Sequence, residues 1–394
     1  MKIKLNNLIL FLLFAYSCED QNIRYDDIRD SVKAYQVELV NNNVTGSNTV
    51  RLYHNNKIQF TNIVNSNKKE DKNINSESIF PIWSMSKPIT IVAMMILFER
   101  GKYNLEDNVS DYIPVFADLK CKSNNEIIRC KKDLKIIHLL THTSGFSYYD
   151  KGIGNISYAD TSYSTLEDWI DALVKNQHVE FEPGTNYQYG ISQAILGHLI
   201  EVLSGNTFFG FLYDNIFEPL EMYDTKFYLT ENERLNFQPL FLKKWDGAKL
   251  FSNDNDELKY NKNSSMHFGG EGLVSTMNNY SNFCEMLVNN GVFKGKRIIS
   301  PKSIQMMTNP YTKQRIEYGF YSGFDYGFSY FNLQNPILDG TGSTKGIYGW
   351  SGYHNTHFWI DPQKKLYCIF MSRTTPYSSD VQRSLRASMY SKMN

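Results

Sequence analysis

The sequence has few of the features that mark specialised classes of protein. Its 394 residues contain five cysteines, too few for a disulfide scaffold, and no CxxC spacing indicates a zinc site. The 41 Lys and Arg residues balance the 41 Asp and Glu residues, so the chain lacks the basic footprint of nucleic-acid-binding proteins. Internal repeats and low-complexity linkers are also absent from the sequence.

The composition is instead that of an aromatic-rich globular protein. Hydrophobic residues make up 42% and aromatic residues 14% of the chain, which argues against global disorder. At ~150 residues per domain, the length corresponds to two or three domains. A chain of this size buries roughly three quarters of its unfolded surface, so it can form a sizeable core.

Long apolar runs are rare as well, and the one near the N-terminus is short. Residues 8–16 are apolar and follow Lys2 and Lys4, which is the pattern of a secretory signal. The run is shorter than the ~20 residues that span a bilayer. Because no second segment of that kind follows, we expect residues 1–17 to be a signal peptide and residues 18–30 a polar tether.

Cys18 directly follows this apolar run. Residues 15–18 read Ala-Tyr-Ser-Cys and resemble a bacterial lipoprotein cleavage box, with Cys18 as the acylated first mature residue. An ordinary secretory signal is the alternative, since leucine is commoner where this chain has Ala15. The lipoprotein reading predicts an exported protein that contacts the membrane only through a lipid anchor.

An exported protein can form disulfides, and one pair of cysteines is well placed for it. Cys121 and Cys130 flank a polar turn centred on Asn124 and Asn125. Two short strands around that turn would bring the cysteines opposite each other, so we expect a disulfide bond. Cys284 and Cys368 lie in apolar surroundings and are expected to be buried thiols.

The pattern along the chain predicts a mixed α/β fold. A hairpin is predicted at residues 50–60, a polar loop at 65–78 and a buried helix at 84–100, which ends at Gly101. Further helices are predicted at residues 165–176, 190–204, 276–290 and 378–392, and strands at 326–333, 347–360 and 366–373. The order of these predicted strands and helices indicates a single catalytic domain, residues 31–394. Its antiparallel sheet comes from residues 31–80 and 315–394, and a mainly helical part, residues 81–314, is inserted between them.

Ser84 and Lys87 form an S-x-x-K motif at the start of the buried helix. Positions i and i+3 share a helix face, so the lysine can reach the serine hydroxyl, which is a poor nucleophile until a base takes its proton. Ser66 and Lys69 repeat the motif, but they lie in the polar loop with no helix behind them. Context therefore favours Ser84 as the nucleophile. The ordinary alternative is a helix-capping serine beside a surface lysine.

Several further motifs occur in an order that resembles one known family. They are HLLTHTSG at 138–145, EPGT at 182–185, FEPLEM at 217–222, GGEGLVST at 269–276, the run at 296–307 and GWSG at 349–352. Over residues 45–375 the chain is similar to the serine β-lactamase and penicillin-binding-protein superfamily, in its class C β-lactamase and esterase branch. The resemblance implies a β-lactamase/DD-peptidase-like fold and catalysis through an acyl-enzyme.

The resemblance also assigns a second base and an oxyanion hole. Tyr189 matches the tyrosine of the Tyr-x-Asn motif, and Tyr187 is its nearest competitor. The asparagine is replaced by Ile191, which cannot bind a substrate amide, and Ser192 is out of register to replace it. The backbone N–H groups of Ser84 and Tyr353 would form the oxyanion hole.

The third family motif, Lys-Thr-Gly, appears here as Trp350, Ser351 and Gly352, which are the candidate substrate-binding residues. Replacing the lysine by Trp350 removes the cation that would hold a substrate carboxylate. Lys345, a few residues upstream, is a candidate source of a replacement cation.

Histidines at i and i+4 can share a metal, as His138 and His142 could. No glutamate follows His138 as in H-E-x-x-H, and no third ligand is evident, so we expect no metal there. We likewise expect no metal at His354 and His357, and we expect no cofactor.

The sequence therefore predicts a serine hydrolase of esters or amides, with esterase-like specificity. The alternatives are a β-lactamase, a D-alanyl-D-alanine carboxypeptidase or an inactive homologue that binds the cell wall. Expected partners are a small-molecule ester, amide or β-lactam substrate, with a cell-wall peptide as a further candidate and no nucleic acid.

Overall fold

The computed structural model describes residues 23–123, 126–148, 163–243, 249–252, 260–312 and 322–393. The predicted signal peptide, residues 1–17, and the predicted lipidation site, Cys18, lie outside the described residues. The strands are β1 (Asn48–His54), β2 (Lys57–Val64), β3 (Ile79–Pro81), β4 (Lys120–Ser123), β5 (Glu126–Arg129), β6 (Leu240–Lys243), β7 (Lys249–Ser252), β8 (Val274–Thr276), β9 (Val292–Phe293), β10 (Lys296–Arg297), β11 (Phe324–Tyr326), β12 (Phe331–Leu333), β13 (Tyr348–Ser351), β14 (His357–Asp361), β15 (Leu366–Ser372) and β16 (Thr374–Thr375). The helices are α1 (Tyr25–Asn41), α2 (Ser86–Glu99), α3 (Ile136–Leu140), α4 (Leu166–Asn176), α5 (Ser192–Ser204), α6 (Phe208–Leu212), α7 (Glu231–Asn236), α8 (Met277–Val288), α9 (Pro301–Thr308), α10 (Pro336–Asp339) and α11 (Ser379–Tyr390).

The main sheet is built from both ends of the chain, as predicted. Its seven strands follow the order β11-β12-β13-β14-β15-β1-β2, and every neighbouring pair is antiparallel. Strand β1 pairs with β15 in a register that runs from Asn48 opposite Ser372 to His54 opposite Leu366. Both strands are buried along their whole length, because helices pack against the sheet. The predicted α/β fold with an inserted, mainly helical part is therefore confirmed.

Helix α1 corrects the predicted extent of the polar tether. The tether was expected to reach residue 30, but α1 begins at Tyr25. Its apolar residues Ile28 and Val32 lie one turn apart and are fully buried. Asp26 and Asp27 occupy the first turn, where negative charge is favourable. Residues 25–30 therefore belong to the folded domain.

Two predicted strands are in fact hairpins. Residues 326–333 contain the end of β11 and all of β12, joined by a turn in which Ser329 has a φ of 51°. Residues 347–360 contain β13 and most of β14, joined by a turn in which Asn355 has a φ of 62°. The left-handed backbone reverses the chain at both places, and the aromatic residues on either side of each turn give the whole segment the pattern of one strand.

The helical part carries the nucleophile motif. A single 3₁₀ turn, Trp83–Met85, leads into α2, of which residues 86–97 are buried. Strands β4 and β5 form a hairpin, and the sulfurs of Cys121 and Cys130 are joined in a disulfide bond, as expected. Cys284 and Cys368 are buried free thiols.

Within the described ranges no single helix is long and apolar enough to cross a membrane. Helix α5 and residues 208–217 pass that test together as a bent pair, by length and composition only.

Candidate active site

Three predicted site residues meet at the N-terminus of α2. The Ser84 hydroxyl lies 3.0 Å from Lys87 Nζ and 2.9 Å from the Tyr189 hydroxyl. Lys87 Nζ also donates a 2.8 Å hydrogen bond to the carbonyl oxygen of Gly270. One hydroxyl thus contacts two groups that can exchange a proton with it, which is the arrangement of an activated serine nucleophile.

The backbone before Ser84 is held in an unusual conformation. Trp83 has a φ of 48°, which is costly for a bulky side chain, and such strain is common at functional sites. The indole N–H of Trp83 donates a 2.8 Å hydrogen bond to Nδ1 of His354, and both residues are buried. The strained residue is therefore fixed by the loop between β13 and β14, and Ser84 follows it.

Lys87 is fully buried, and aromatic rings face its amino group. Nζ lies 4.9 Å from the ring centroid of Tyr189 and 5.5 Å from that of Tyr148. Both rings lie within the ~6 Å over which an aromatic face contacts a lysine amino group. Together with the carbonyl of Gly270, they hold the buried amino group against Ser84.

Tyr189 is positioned by a close backbone approach. A Cβ on Gly190 would lie 2.1 Å from the carbonyl oxygen of Phe146, so only glycine fits at this position. The ring of His142 lies 4.9 Å from the Tyr189 ring, and burial together with Lys87 holds the pKa of His142 well below its usual value. A neutral imidazole therefore packs behind the tyrosine.

The end of β13 lies against the segment that precedes Ser84. A Cβ on Gly352 would lie 2.4 Å from the carbonyl oxygen of Ile82, so the two backbones are in direct contact. Gly352 N–H also donates to the carbonyl of Thr356 at 2.8 Å, which closes the turn after the strand. Ser84 and Tyr353 consequently line the same cavity.

This cavity has a volume of about 430 Å³ and is lined mostly by aromatic side chains. Its lining residues are Ser84, Tyr187, Tyr189, Tyr326, Phe331, Trp350, Ser351, Gly352, Tyr353 and Tyr377. The Tyr187 and Tyr326 rings stack with centroids 5.0 Å apart, and Trp350 meets the Tyr326 ring at 73°. The candidate nucleophile therefore opens onto a largely apolar cavity, and among the described residues that line it none is a lysine, arginine, aspartate or glutamate.

Residues 38–388 match the β-lactamase family over most of the chain. The chain belongs to the β-lactamase family. Members of this family are in general hydrolytic serine enzymes.

Two curated relatives and one solved structure illustrate the range of similar proteins. Protein Rv1367c of Mycobacterium tuberculosis is 25% identical over 325 residues, which cover 76% of this chain and 78% of the relative. Esterase EstB of Burkholderia gladioli is 22% identical over 353 residues, 83% of this chain and 86% of EstB. The structure of EstCE1, a hydrolase with promiscuous acyltransferase activity, has a TM-score of 0.77 at 20% identity and covers 93% of this chain and 99% of EstCE1. At that identity the likeness to EstCE1 concerns the fold.

Ile191 and Ser192, which follow the family's tyrosine, are both turned into the protein. Ile191 is buried before α5 and is not among the residues that line the cavity. The Ser192 hydroxyl lies 2.8 Å from the Ser144 hydroxyl in the core. Neither side chain therefore replaces the asparagine of the family's second motif.

The third motif of the β-lactamase family is also altered in its contacts. The Ser351 hydroxyl lies 2.9 Å from His357 Nδ1 and donates to Gln382 Oε1 at 2.8 Å, while Gln382 Nε2 donates to the Tyr377 hydroxyl at 3.0 Å. The hydroxyl proton of Ser351 is thus directed into the protein. Lys345 is exposed and is absent from the cavity lining, so it does not supply the cation that Trp350 lacks.

The second S-x-x-K motif has a structural explanation. Ser66 donates a 2.6 Å hydrogen bond to the carboxylate of Asp71, and Lys69 is exposed to solvent. No helix follows Ser66, because residues 65–78 form the predicted loop. An exposed lysine next to a serine that is already bonded to a carboxylate is not a nucleophile–base pair.

Sequence reasoning missed several residues of the site. Gly270 belongs to a motif that the resemblance identifies, but that motif does not predict the contact of the Gly270 carbonyl with Lys87. Tyr326, Phe331 and Tyr377 line the cavity from β11, β12 and the segment after β16. No local signal separates these three from the other aromatic residues of a chain that has 27 tyrosines and 25 phenylalanines.

The histidines that invited a metal hypothesis make separate contacts. His138 Nδ1 accepts a hydrogen bond from the Lys135 N–H, whereas His142 Nε2 lies 3.1 Å from the Ser329 hydroxyl. In the part of the chain that the structure describes, the one group with closely spaced potential ligands is Cys121, Cys130 and Glu182. The two sulfurs of that group are bonded to each other, so they do not offer thiolate ligands.

Proposed function

We propose that the protein is a serine hydrolase that cleaves esters through an acyl-enzyme formed on Ser84. The observation that carries the proposal is the contact of one hydroxyl with two proton-transfer groups, Lys87 Nζ and Tyr189 Oη. A serine activated in this way attacks a carbonyl carbon while its proton passes to a neighbouring base.

The reaction proceeds in two halves. Ser84 Oγ attacks the ester carbonyl, and the backbone N–H groups of Ser84 and Tyr353 stabilise the oxyanion. The pair formed by Lys87 and Tyr189 receives the serine proton and delivers it to the leaving alkoxide, so an alcohol departs. Water then attacks the acyl-enzyme, gives its proton to the same pair and releases the carboxylic acid and the free serine.

An uncharged ester fits the cavity better than a β-lactam does. Trp350 stands where the family has a lysine, and the Ser351 hydroxyl proton is directed to Gln382. A β-lactam carboxylate would therefore lose its charge-assisted partner. The name of the relative EstB, an esterase, is consistent with this preference.

Covalent labelling tests the proposed nucleophile. A fluorescent alkyl phosphonate should label the parent protein, and Ser84→Ala should lose both the label and the hydrolysis of p-nitrophenyl acetate. Ser66→Ala is the matched control, because it alters the second motif without touching the cavity, and it should keep both. An unlabelled parent that still binds cell-wall fragments would instead support an inactive binding homologue.

A substrate panel separates the related activities. Short p-nitrophenyl esters, a chromogenic cephalosporin and D-Ala-D-Ala peptides should be compared with the same preparation. Preferential turnover of the cephalosporin or the peptides would support a β-lactamase or a D-alanyl-D-alanine carboxypeptidase in place of an esterase.

We also propose that the protein is exported and anchored by a lipid on Cys18. The disulfide between Cys121 and Cys130 is consistent with an oxidising compartment. In a bacterial host, a fatty-acid analogue should label the parent and not Cys18→Ser. If the parent remains unlabelled, a plain secretory signal or no export signal replaces this reading.

A further inference from the structure

The aromatic wall of the cavity stands beside Tyr189, which in the proposed mechanism delivers the proton to the leaving alkoxide. Tyr189 contacts the nucleophile through its hydroxyl, and its ring centroid lies 5.8 Å from that of Trp350. Trp350 in turn meets Tyr326 at 73° with centroids 5.9 Å apart, so the rings form a corner. A leaving group that takes its proton from Tyr189 would occupy this corner.

The corner is rich in π electrons, and none of the described residues that line it has a positive side chain. Lys87 lies behind Ser84, where the Gly270 carbonyl and the Tyr189 ring already face its amino group. Burial raises the pKa of Tyr326 and of Tyr187 well above the ordinary value, so both hydroxyls stay neutral. The wall therefore presents uncharged aromatic rings.

One buried carboxylate adds negative potential behind the wall. Asp325 precedes Tyr326 and is 5% exposed. Its carboxylate accepts hydrogen bonds from the Thr312 hydroxyl and from the backbone N–H of Tyr326, the second at 2.8 Å. A cation in the corner would meet favourable potential from the rings and from this carboxylate, whereas an anion would be repelled.

We propose that the leaving alcohol of the natural ester carries a quaternary ammonium group, as in a choline-type ester, an inference that rests on the proposed esterase function. A quaternary ammonium has no N–H groups, so it loses no donor bonds when an aromatic wall replaces its water shell. Aromatic rings within about 6 Å of such a cation bind it by the cation–π interaction. The reaction is the hydrolysis described above: the ester bond breaks, Ser84 is acylated and the amino alcohol leaves with the proton from Tyr189.

A pair of isosteric thioesters isolates the charge. Acetylthiocholine and 3,3-dimethylbutyl thioacetate differ in a nitrogen for a carbon, and both release a thiol that can be followed by absorbance. After each kcat/KM is normalised to the hydroxide-catalysed rate, the cationic ester should be favoured by roughly 2- to 30-fold, the range of a single cation–π contact. A parent protein that hydrolyses the neutral thioester equally well or better overturns the inference and leaves the esterase proposal intact.

Two substitutions at one position test whether the ring is the cause. Trp350→Phe keeps an aromatic face and should retain a preference for the cation, whereas Trp350→Leu should reduce the ratio toward one. The ratio is the readout, because either change can alter the absolute rate. A ratio that is unchanged in Trp350→Leu contradicts the assignment to this corner.

Binding can be measured without catalysis. Calorimetric titration of Ser84→Ala with choline, and with 3,3-dimethyl-1-butanol as its neutral isostere, should show tighter binding of choline by a similar factor. If neither thioester is hydrolysed and Ser84 takes no phosphonate label, the proposed function has failed and the leaving-group inference fails with it. If the esterase function holds, the comparison of the two alcohols tests the inference by itself. Equal or weaker binding of choline overturns it.

Discussion

The replacement of the family lysine by Trp350 leads to a quantitative expectation for β-lactams. A β-lactam presents a carboxylate and a side-chain amide, and we expect neither to meet its usual partner among the described residues of this cavity. A hydrogen bond to a charged group contributes about 1.5–3 kcal/mol and a neutral one about 0.5–1.5 kcal/mol. Together the missing contacts amount to about 2–4.5 kcal/mol, which corresponds to roughly thirty- to two-thousand-fold in recognition.

A neutral ester needs neither contact. The cavity offers it the apolar faces of Trp350 and its aromatic neighbours. An alkoxide also requires less protonation than an amine when it leaves. We therefore expect kcat/KM for p-nitrophenyl acetate or butyrate to exceed that for benzylpenicillin by a wide margin, as measured by steady-state hydrolysis.

The substitution Trp350→Lys restores the missing cation and tests the cause. It should raise acylation by benzylpenicillin by roughly 10- to 100-fold, the equivalent of one charged hydrogen bond. Trp350→Met is the control, because it removes the aromatic ring without adding a charge. A parent protein that hydrolyses penicillins better than short esters would refute the reasoning, as would equal gains in the lysine and methionine variants.

Three further predictions concern the tyrosine, the glycine beside it and the cysteines. Tyr189→Phe should lower kcat for p-nitrophenyl acetate by roughly 10²–10⁴-fold, whereas Tyr187→Phe, which keeps the stacked ring, should lower kcat far less. A larger loss of kcat in Tyr187→Phe than in Tyr189→Phe would identify Tyr187 as the base. Gly190→Ala should lower both kcat and the melting temperature, because its Cβ would meet the Phe146 carbonyl. Gly101 has a φ of 66° and open space around it, so Gly101→Ala should lower the free energy of unfolding by about 1–2 kcal/mol and keep kcat. In a thiol titration of the unreduced mature domain, Cys284 and Cys368 should react only after denaturation, because both thiols are buried and burial raises their pKa. A reaction of Cys121 or Cys130 in the same titration would contradict the disulfide.

The sequence by itself determined the features that depend on neighbours along the chain. Ser84 and Lys87 are brought together because they lie three residues apart at the start of a helix. A polar turn predicts the hairpin that brings Cys121 and Cys130 together. The buried helix α2 and the loop at residues 65–78 followed from local polarity in the same way. Such features are encoded within one or two turns of backbone, so a pattern is enough to predict them.

The family resemblance assigned Tyr189, and only the tertiary structure showed its contacts and which other distant groups complete the site. Tyr189 and Gly270 reach the nucleophile pair from 105 residues beyond Ser84 and 183 residues beyond Lys87, and His354 fixes Trp83 across 271 residues. The same holds for the aromatic corner, because Tyr187, Tyr326 and Trp350 come from separate segments. Contacts of this kind arise from the packing of the sheet against the helical part. Residue type and local spacing do not predict that packing.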